Sequence, residues 1–172
     1  MIETPAEMPV GTQREVGNRG PSDDGPLSEI SVALEAFARG EILVVVDDED
    51  RENEGDLIMA AEHVTPEKIA FFLHHTSGFI CTVITSERAA ELDLRPMVEQ
   101  NTESMRTAFL VSVDYRHGTS TGISAHDRAA TVQAMVDPTT RPGDLARPGH
   151  ILPLEAREGG VLKRAGHTEA TV

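Results

Sequence analysis

The sequence contains little cysteine and few aromatic residues: its 172 residues include one cysteine, one tyrosine and no tryptophan. The single Cys81 excludes an internal disulfide framework and any zinc site built from cysteine alone. Because Cys81 falls in an apolar strand pattern, we expect a small buried hydrophobic residue rather than a nucleophile. The lone Tyr115 and the absence of tryptophan argue against aromatic platforms that stack single-stranded nucleic acid.

Long apolar runs are also lacking. The longest, such as residues 42–46, fall far short of the roughly 20 residues of a membrane helix, so we expect no membrane partner. No apolar segment follows the first methionine, which argues against secretion. We therefore expect a cytoplasmic protein, and its length suits one compact domain.

Basic residues are few, since 15 Lys and Arg stand against 29 Asp and Glu and give a formal charge of −14. A polyanion repels so acidic a chain, so nucleic acid is not an expected partner. The acid is unevenly spread, because residues 47–56 (DDEDRENEGD) hold seven of the 29 acidic residues. Carboxylates packed into ten residues repel one another, and such a cluster requires a local explanation.

The composition divides the chain in two. Residues 1–26 hold four prolines and four glycines with few large apolar residues, and we expect a disordered leader there. From residue 27 onward, hydrophobic periodicity and helix start and stop signals alternate between helix and strand. They predict helices over 28–40, 65–75, 86–92 and 124–136, and strands over 42–46, 57–61, 79–84, 107–113, 151–154 and 161–162. This alternation predicts a layered α/β sandwich.

The acidic segment follows a predicted buried strand and contains one arginine, Arg51. A cation would relieve the repulsion between its carboxylates, so a metal or substrate site is one interpretation. A solvated, charged loop is the other, and composition leaves both open. A calcium-binding EF-hand loop starting at Asp48 would need glycine at its sixth position and glutamate at its twelfth. Asn53 and Met59 occupy those positions, so the spacing argues against a generic calcium-binding module.

Three later segments carry polar groups suited to chemistry. The hydroxyls and glycine of residues 119–128 lead into a helix, where they could hold a phosphate or simply cap the helix, and capping is favoured. His150 follows Pro-Gly on a predicted turn and is a candidate acid/base, although most loop histidines are ordinary surface residues. Arg164, His167 and Thr168 lie close enough in sequence to clamp a phosphate and a metal together.

These segments together resemble one family. Residues 47–56 closely resemble the signature of 3,4-dihydroxy-2-butanone-4-phosphate synthase, a riboflavin-pathway enzyme often fused to a GTP cyclohydrolase II domain. Residues 77–81 (SGFIC), 121–125 (TGISA), 147–150 (RPGH) and 166–170 (GHTEA) resemble further family motifs in the same order. The resemblance extends from about residue 28 to the end. It implies an α+β fold: a three-layer sandwich with a mixed β-sheet flanked by helices over residues 27–172.

The resemblance also implies an activity. The family converts D-ribulose 5-phosphate to L-3,4-dihydroxy-2-butanone 4-phosphate and formate, by metal-assisted enolisation and skeletal rearrangement with Mg²⁺. Because imidazole is an unusual ligand for so hard an ion, we hypothesise that Mn²⁺ can substitute. The family forms homodimers with active sites near the subunit interface. A homodimer is therefore a further expectation, whereas the sequence leaves open whether a GTP cyclohydrolase II domain is fused to this one in the natural chain.

Carried over motif by motif, the resemblance assigns roles to individual residues. The implied metal ligands are Glu52 and His167. The implied catalytic residues are His150, Glu54 and Asp56. The implied substrate contacts are Arg51, Glu52, Asp56, Arg164, Ala165, Gly166, His167 and Thr168.

The family continues with further elements after the position of Val172, including a glutamate that resembles a catalytic group. We therefore expect the 172-residue chain to lack the family's C-terminal elements and to be weakly stable, poorly active or both. The alternative function is a truncated, non-catalytic homologue that binds metal or sugar phosphate. Formate release from ribulose 5-phosphate with magnesium distinguishes the two hypotheses.

Overall fold

The structure, a computed structural model, describes residues 27–172, and the predicted leader lies outside the described residues. The described part has helices α1 (Ile30–Ala38), α2 (Pro66–His75), α3 (Ser86–Glu91) and α4 (Ala125–Val136). Its strands are β1 (Leu43–Val46), β2 (Gly55–Ile58), β3 (Cys81–Ile84), β4 (Val113–Tyr115) and β5 (Leu145–Glu155). Short 3-10 helices cover Ala61–His63, Pro142–Asp144, Gly160–Leu162 and Glu169–Thr171. Over the described range, no helix has the length and apolar character needed to cross a bilayer.

Local signals fix the ends of the main helices. Pro66 occupies the first turn of α2, and the Thr65 hydroxyl accepts a hydrogen bond from the Lys68 N–H at 3.3 Å. The Ser124 hydroxyl caps α4 in the same way, accepting from the Asp127 N–H at 3.0 Å. The helices predicted over 65–75 and 124–136 are therefore confirmed.

Two sheets make up the β-structure of the described residues. In the three-stranded sheet, β5 lies between β3, which runs parallel to it, and β4, which runs antiparallel. Strands β1 and β2 form a separate antiparallel pair in which Val46 faces Gly55. The predicted mixed sheet is thus confirmed, and the acidic segment becomes the loop of the β1–β2 hairpin.

The hydrophobic core lies between the three-stranded sheet and the helices, with α2 packed on α4. Apolar side chains on one face of α4 meet those of β4 and β5. Burial of these side chains stabilises the sheet and fixes the loops at its ends. The most deeply buried members are Ile69, Leu92, Leu110, Val113, Met135, Leu145 and Ile151.

The first helix and strand are less buried than the sequence pattern predicts. Ile30 and Leu34, expected on the core face of α1, are 72% and 61% exposed. Val44 and Val46, expected in a buried strand, are 70% and 52% exposed. Within residues 27–172, β1 pairs only with β2, so that hairpin is covered less than a central strand would be.

Three other predictions from the pattern were wrong. In the segment predicted as a strand over 107–113, Phe109 and Leu110 form isolated bridges and the strand starts only at Val113. Residues 147–150, predicted as a turn, belong to the long strand β5, where a register shift against β4 accommodates Pro-Gly. The strand predicted at 161–162 is a 3-10 turn, entered through a glycine with positive φ.

Candidate active site

Asp47 organises the acidic hairpin loop. Its carboxylate accepts hydrogen bonds from the backbone N–H groups of Glu52 (3.1 Å) and Glu54 (2.9 Å) and from the Arg51 guanidinium (2.7 Å). The Glu54 N–H, with the Arg51 side chain and the Glu52 N–H, lowers the pKa of Asp47 to about 2. Asp47 therefore stays ionised and holds the loop in a fixed conformation, rather than leaving it a solvated run of charge.

The C-terminal segment meets this loop at His167. The imidazole Nδ1 lies 3.4 Å from a carboxylate oxygen of Glu52 and 3.9 Å from one of Asp56. The His167 side chain is only 9% exposed. Its Nε2 atom is buried and has no hydrogen-bond partner among the described residues. A buried imidazole nitrogen without a partner is unfavourable. Nδ1, however, is the ring nitrogen that faces Glu52 and Asp56, so an ion held between these carboxylates and His167 would bind Nδ1 and leave Nε2 unsatisfied.

Asp47, Glu52 and His167 form a cluster that could hold a metal ion. One potential ligand atom from each lies within 4.8 Å of the other two. Two carboxylates and an imidazole suit Mg²⁺ or Mn²⁺, and three protein ligands leave coordination positions open for a substrate. The residues present therefore fit a divalent ion. Asp47 was not predicted as a possible ligand, although its place directly after β1, within the acidic segment, was a usable signal.

Two arginines lie next to this cluster. Arg51 donates from Nη1 to Glu52 at 2.6 Å as well as to Asp47. Arg164 donates from Nη1 to Glu169 at 2.7 Å. A methyl group added at Gly166 would lie 2.7 Å from Arg164 Nη1 and 2.8 Å from Arg51 Nη2, so both guanidiniums approach this glycine. Both guanidiniums therefore lie close to the Gly166 backbone, and Arg51 is in addition paired with the carboxylates of Asp47 and Glu52.

Glu52, His167 and the two arginines line one cavity of about 940 Å³. Seven of the residues predicted for the site line it: Arg51, Glu52, Glu54, Asp56, Arg164, His167 and Thr168. Ala165 and Gly166 belong to the connecting backbone between Arg164 and His167. The two distant stretches that the resemblance assigned to one site therefore do meet in one pocket.

Cys81 also lines the cavity. Burial, and secondarily the nearby Asp56 carboxylate, raise the pKa of its thiol to about 11. A thiol with so high a pKa is almost wholly protonated at neutral pH and is a poor nucleophile. Cys81 is thus a weak nucleophile, as predicted, but it is partly exposed on the cavity wall and is not the fully buried residue that the strand pattern predicted.

His150 lies elsewhere. His150 is absent from the cavity wall as formed by residues 27–172. Its Nδ1 contacts the Asp114 carboxylate at 2.7 Å. The other Asp114 oxygen accepts from the His150 backbone N–H at 2.9 Å. A methyl group at Gly149 would lie 2.0 Å from the Val113 backbone, so glycine allows the close approach that pairs His150 with Asp114. The pair resembles an oriented acid/base dyad in which Nε2 remains available.

The helix-start segment at 119–128 carries its own anion. Asp127 Oδ2 accepts from the Ser120 hydroxyl (2.8 Å), the Ser120 N–H (3.1 Å) and the Gly122 N–H (3.0 Å). These hydrogen bonds, led by the Ser120 hydroxyl, hold the pKa of Asp127 well below its usual range. Because a carboxylate of the chain already occupies these donors, the geometry favours the capping interpretation over a phosphate site.

A mixed-sheet α+β fold with a carboxylate–imidazole cluster beside two guanidiniums defines a candidate site for a metal ion and an anionic substrate. The sequence profile of 3,4-dihydroxy-2-butanone 4-phosphate synthase matches residues 31–172. The enzyme of that name from Agrobacterium fabrum is 57% identical over 146 residues, 85% of this chain and 68% of that protein. The riboflavin biosynthesis protein RibBA of Bacillus subtilis is 59% identical over 143 residues, 83% of this chain and 36% of that protein.

A crystal structure of 3,4-dihydroxy-2-butanone 4-phosphate synthase in complex with two magnesium ions superposes with a TM-score of 0.83. It is 50% identical, and the match covers 85% of this chain and 68% of that one. The chain belongs to the 3,4-dihydroxy-2-butanone 4-phosphate synthase family, enzymes of riboflavin biosynthesis. It spans about two thirds of the Agrobacterium relative and about a third of RibBA.

Proposed function

We propose that this chain carries the active site of a lyase that converts D-ribulose 5-phosphate to L-3,4-dihydroxy-2-butanone 4-phosphate and formate. The observation that carries the proposal is the approach of His167 Nδ1 to Glu52, at 3.4 Å, beside Arg51 and Arg164. The name of the Agrobacterium relative, which is 57% identical, supports the same reaction. A non-catalytic homologue is not favoured, because the predicted metal and substrate residues are present and converge.

In the proposed mechanism, Glu52 and His167 would hold a magnesium ion, with Asp47 as a third possible ligand. An ion bound there would supply Lewis-acid chemistry, which lowers the cost of removing the proton α to the C2 ketone. Arg51 and Arg164 bind the anionic substrate and locally reverse the repulsion of a chain with charge −14. Asp47 keeps both Glu52 and Arg51 in place through its hydrogen bonds.

Proton transfer in this proposal uses the carboxylates on the cavity wall and one histidine. Glu54 and Asp56 line the cavity and are candidate acid/base groups, and the Asp56 carboxylate lies 3.9 Å from His167 Nδ1. His150, oriented by Asp114, is the other candidate, since its Nε2 remains available for proton transfer. Because His150 is outside the cavity of its own chain, we propose a homodimer in which each copy supplies His150 to the other's site.

Mixing two inactive variants tests the shared site. Glu52→Gln and His150→Ala proteins are each expected to release no formate. After unfolding and refolding together, half of the dimers are mixed, and each mixed dimer has one intact site. We expect recovery of about a quarter of the activity of the unsubstituted protein. No recovery, despite mixed dimers on a native gel, would place His150 in its own chain's site.

The metal and the wider setting of the enzyme are also proposals. The magnesium complex of the relative supports Mg²⁺ here, and we propose that Mn²⁺ substitutes because of the imidazole ligand. Formate release in chelated protein, after addition of each ion separately, tests both.

We further propose a cytoplasmic enzyme whose catalytic domain begins near residue 27, with fusion to a GTP cyclohydrolase II domain in the natural protein. Cell fractionation, limited proteolysis and sequencing of the full gene test these three points.

A further inference from the structure

Glu169 is a buried charged residue that has no role in the proposed mechanism and none implied by the family resemblance. It is 2% exposed and follows directly after His167 and Thr168. One carboxylate oxygen accepts from Arg164 Nη1 at 2.7 Å, and the other accepts from the Arg157 backbone N–H at 3.3 Å. A buried carboxylate is unfavourable unless it is paired, so its pairing with Arg164 is the feature to explain.

Arg164 is held from several sides. Its side chain is 14% exposed, and Nη2 lies 3.4 Å from the Thr107 hydroxyl while Nη1 contacts Glu169. Its guanidinium approaches Gly166, as does that of Arg51. Arg164 and Thr107 line the cavity. Glu169 is not part of the cavity wall that residues 27–172 form. Glu169 therefore supports Arg164 from outside the cavity wall.

Both guanidiniums are positively charged and both approach Gly166, so they repel each other, and the carboxylates paired with each of them offset that repulsion. Asp47 and Glu52 hold Arg51. Without Glu169, the repulsion from Arg51 would favour movement of the Arg164 guanidinium away from Arg51. We propose that Glu169 is a positioning residue that keeps Arg164 directed at the phosphate group of the substrate. This inference rests on the proposed function, in which Arg51 and Arg164 bind the anionic substrate, and it assigns Arg164 to the phosphate group.

The substitution Glu169→Gln tests the proposal. Glutamine keeps the size of the side chain but carries no charge. It also has only one acceptor oxygen, whereas the two oxygens of Glu169 accept from Arg164 Nη1 and from the Arg157 N–H. NMR titrations in the presence of a chelator compare ribulose 5-phosphate with unphosphorylated ribulose, so that no turnover occurs. We expect the dissociation constant of ribulose 5-phosphate to rise about tenfold, while that of ribulose changes less than twofold. Inorganic phosphate should weaken in parallel with ribulose 5-phosphate.

A matched control is Glu91→Gln, which removes a carboxylate paired with Arg88 at 2.8 Å on α3, away from the cavity. It should leave all three dissociation constants unchanged. Unchanged binding of ribulose 5-phosphate to Glu169→Gln, or equal weakening of the phosphorylated and unphosphorylated sugars, overturns the positioning role. If the single variant does not fold, Arg164→Gln is compared with the double variant. If the two variants bind inorganic phosphate with equal affinity, Glu169 acts through Arg164. If the double variant binds phosphate more weakly than Arg164→Gln, the positioning role is refuted.

Failure of the proposed function gives a different pattern. If the unsubstituted protein prefers the phosphorylated sugar and Glu169→Gln loses that preference, the inference stands even when no formate is released. If formate is released normally but Glu169→Gln binds ribulose 5-phosphate as before, only the inference fails. An unsubstituted protein that does not distinguish the two sugars overturns the inference, because no phosphate contact then exists for Glu169 to support.

Discussion

Replacing Glu52 with glutamine removes one negative charge from the proposed metal site with little change in shape. The Glu52 side chain is 25% exposed, and its carboxylate contacts Arg51 at 2.6 Å and His167 at 3.4 Å. Arg51 keeps its second contact, to Asp47 at 2.7 Å, and the glutamine amide oxygen can still accept a hydrogen bond. The substitution should therefore affect the metal far more than the fold.

The two effects differ in size. For a partly exposed ion pair that retains a hydrogen bond, we expect the free energy of unfolding to fall by about 1 kcal/mol or less. For a chain of this length that corresponds to a melting temperature lower by about 2–4 °C. Loss of a carboxylate ligand should weaken metal binding by at least about a hundredfold. Formate release should fall by about a thousandfold or more, or about 4 kcal/mol of transition-state stabilisation.

Two assays check this prediction. A coupled formate assay measures turnover of ribulose 5-phosphate, and electron paramagnetic resonance of free Mn²⁺ measures metal affinity independently of turnover. Glu49→Gln is the matched control, because it removes an exposed carboxylate from the same loop, outside the cluster of Asp47, Glu52 and His167. If Glu52→Gln matched Glu49→Gln within twofold in both assays, the metal assignment would be wrong.

Three further predictions concern pH, packing and the thiol. The N–H groups of Met105 and Thr107 lower the pKa of Glu103 from 4.5 to about 2. Because the folded pKa is the lower one, this stabilisation is present above about pH 4.5 and is lost as the pH falls toward 2. Glu103→Gln should therefore be less stable than the unsubstituted protein in urea at pH 6, and a gap that did not shrink at pH 3.5 would contradict the assignment. Gly149→Ala places a methyl group 2.0 Å from the Val113 backbone and should cost about 1–3 kcal/mol in urea unfolding, whereas Gly143→Ala, where nothing lies within 4 Å, should be neutral. With its pKa raised to about 11, Cys81 should resist alkylation by iodoacetamide at pH 7.5 in the folded state and react fully in urea, and fast labelling of folded protein would refute that.

The elements that the sequence predicted well are those set by local signals. The hydroxyls of Thr65 and Ser124 define helix starts by accepting from backbone N–H groups only three residues away, those of Lys68 and Asp127. Exposure on α1 could not be predicted in this way. The spacing of Ile30 and Leu34 is the same whether or not another layer packs on that face.

The candidate site illustrates the same limit. No local pattern pairs residue 52 with residue 167, and only the resemblance to a family brought Glu52 and His167 together in advance. Asp47 was missed because its role depends on the loop folding back so that two backbone N–H groups meet one carboxylate. His150 was assigned to a turn because Pro-Gly is typical of turns, whereas a register shift allows β5 to include it.

The position of the cluster formed by Asp47, Glu52 and His167 has a consequence for the stability of the chain. Its carboxylates lie on a hairpin that, within residues 27–172, shares no strand pairing with the three-stranded sheet, and its imidazole lies near the other end of the chain. An ion bound by both would act as a removable cross-link that closes a very long loop, restricting the unfolded chain much as a disulfide does. The free energy of unfolding would then rise with the concentration of the divalent cation, and removal of the ion would destabilise the fold as well as stop catalysis.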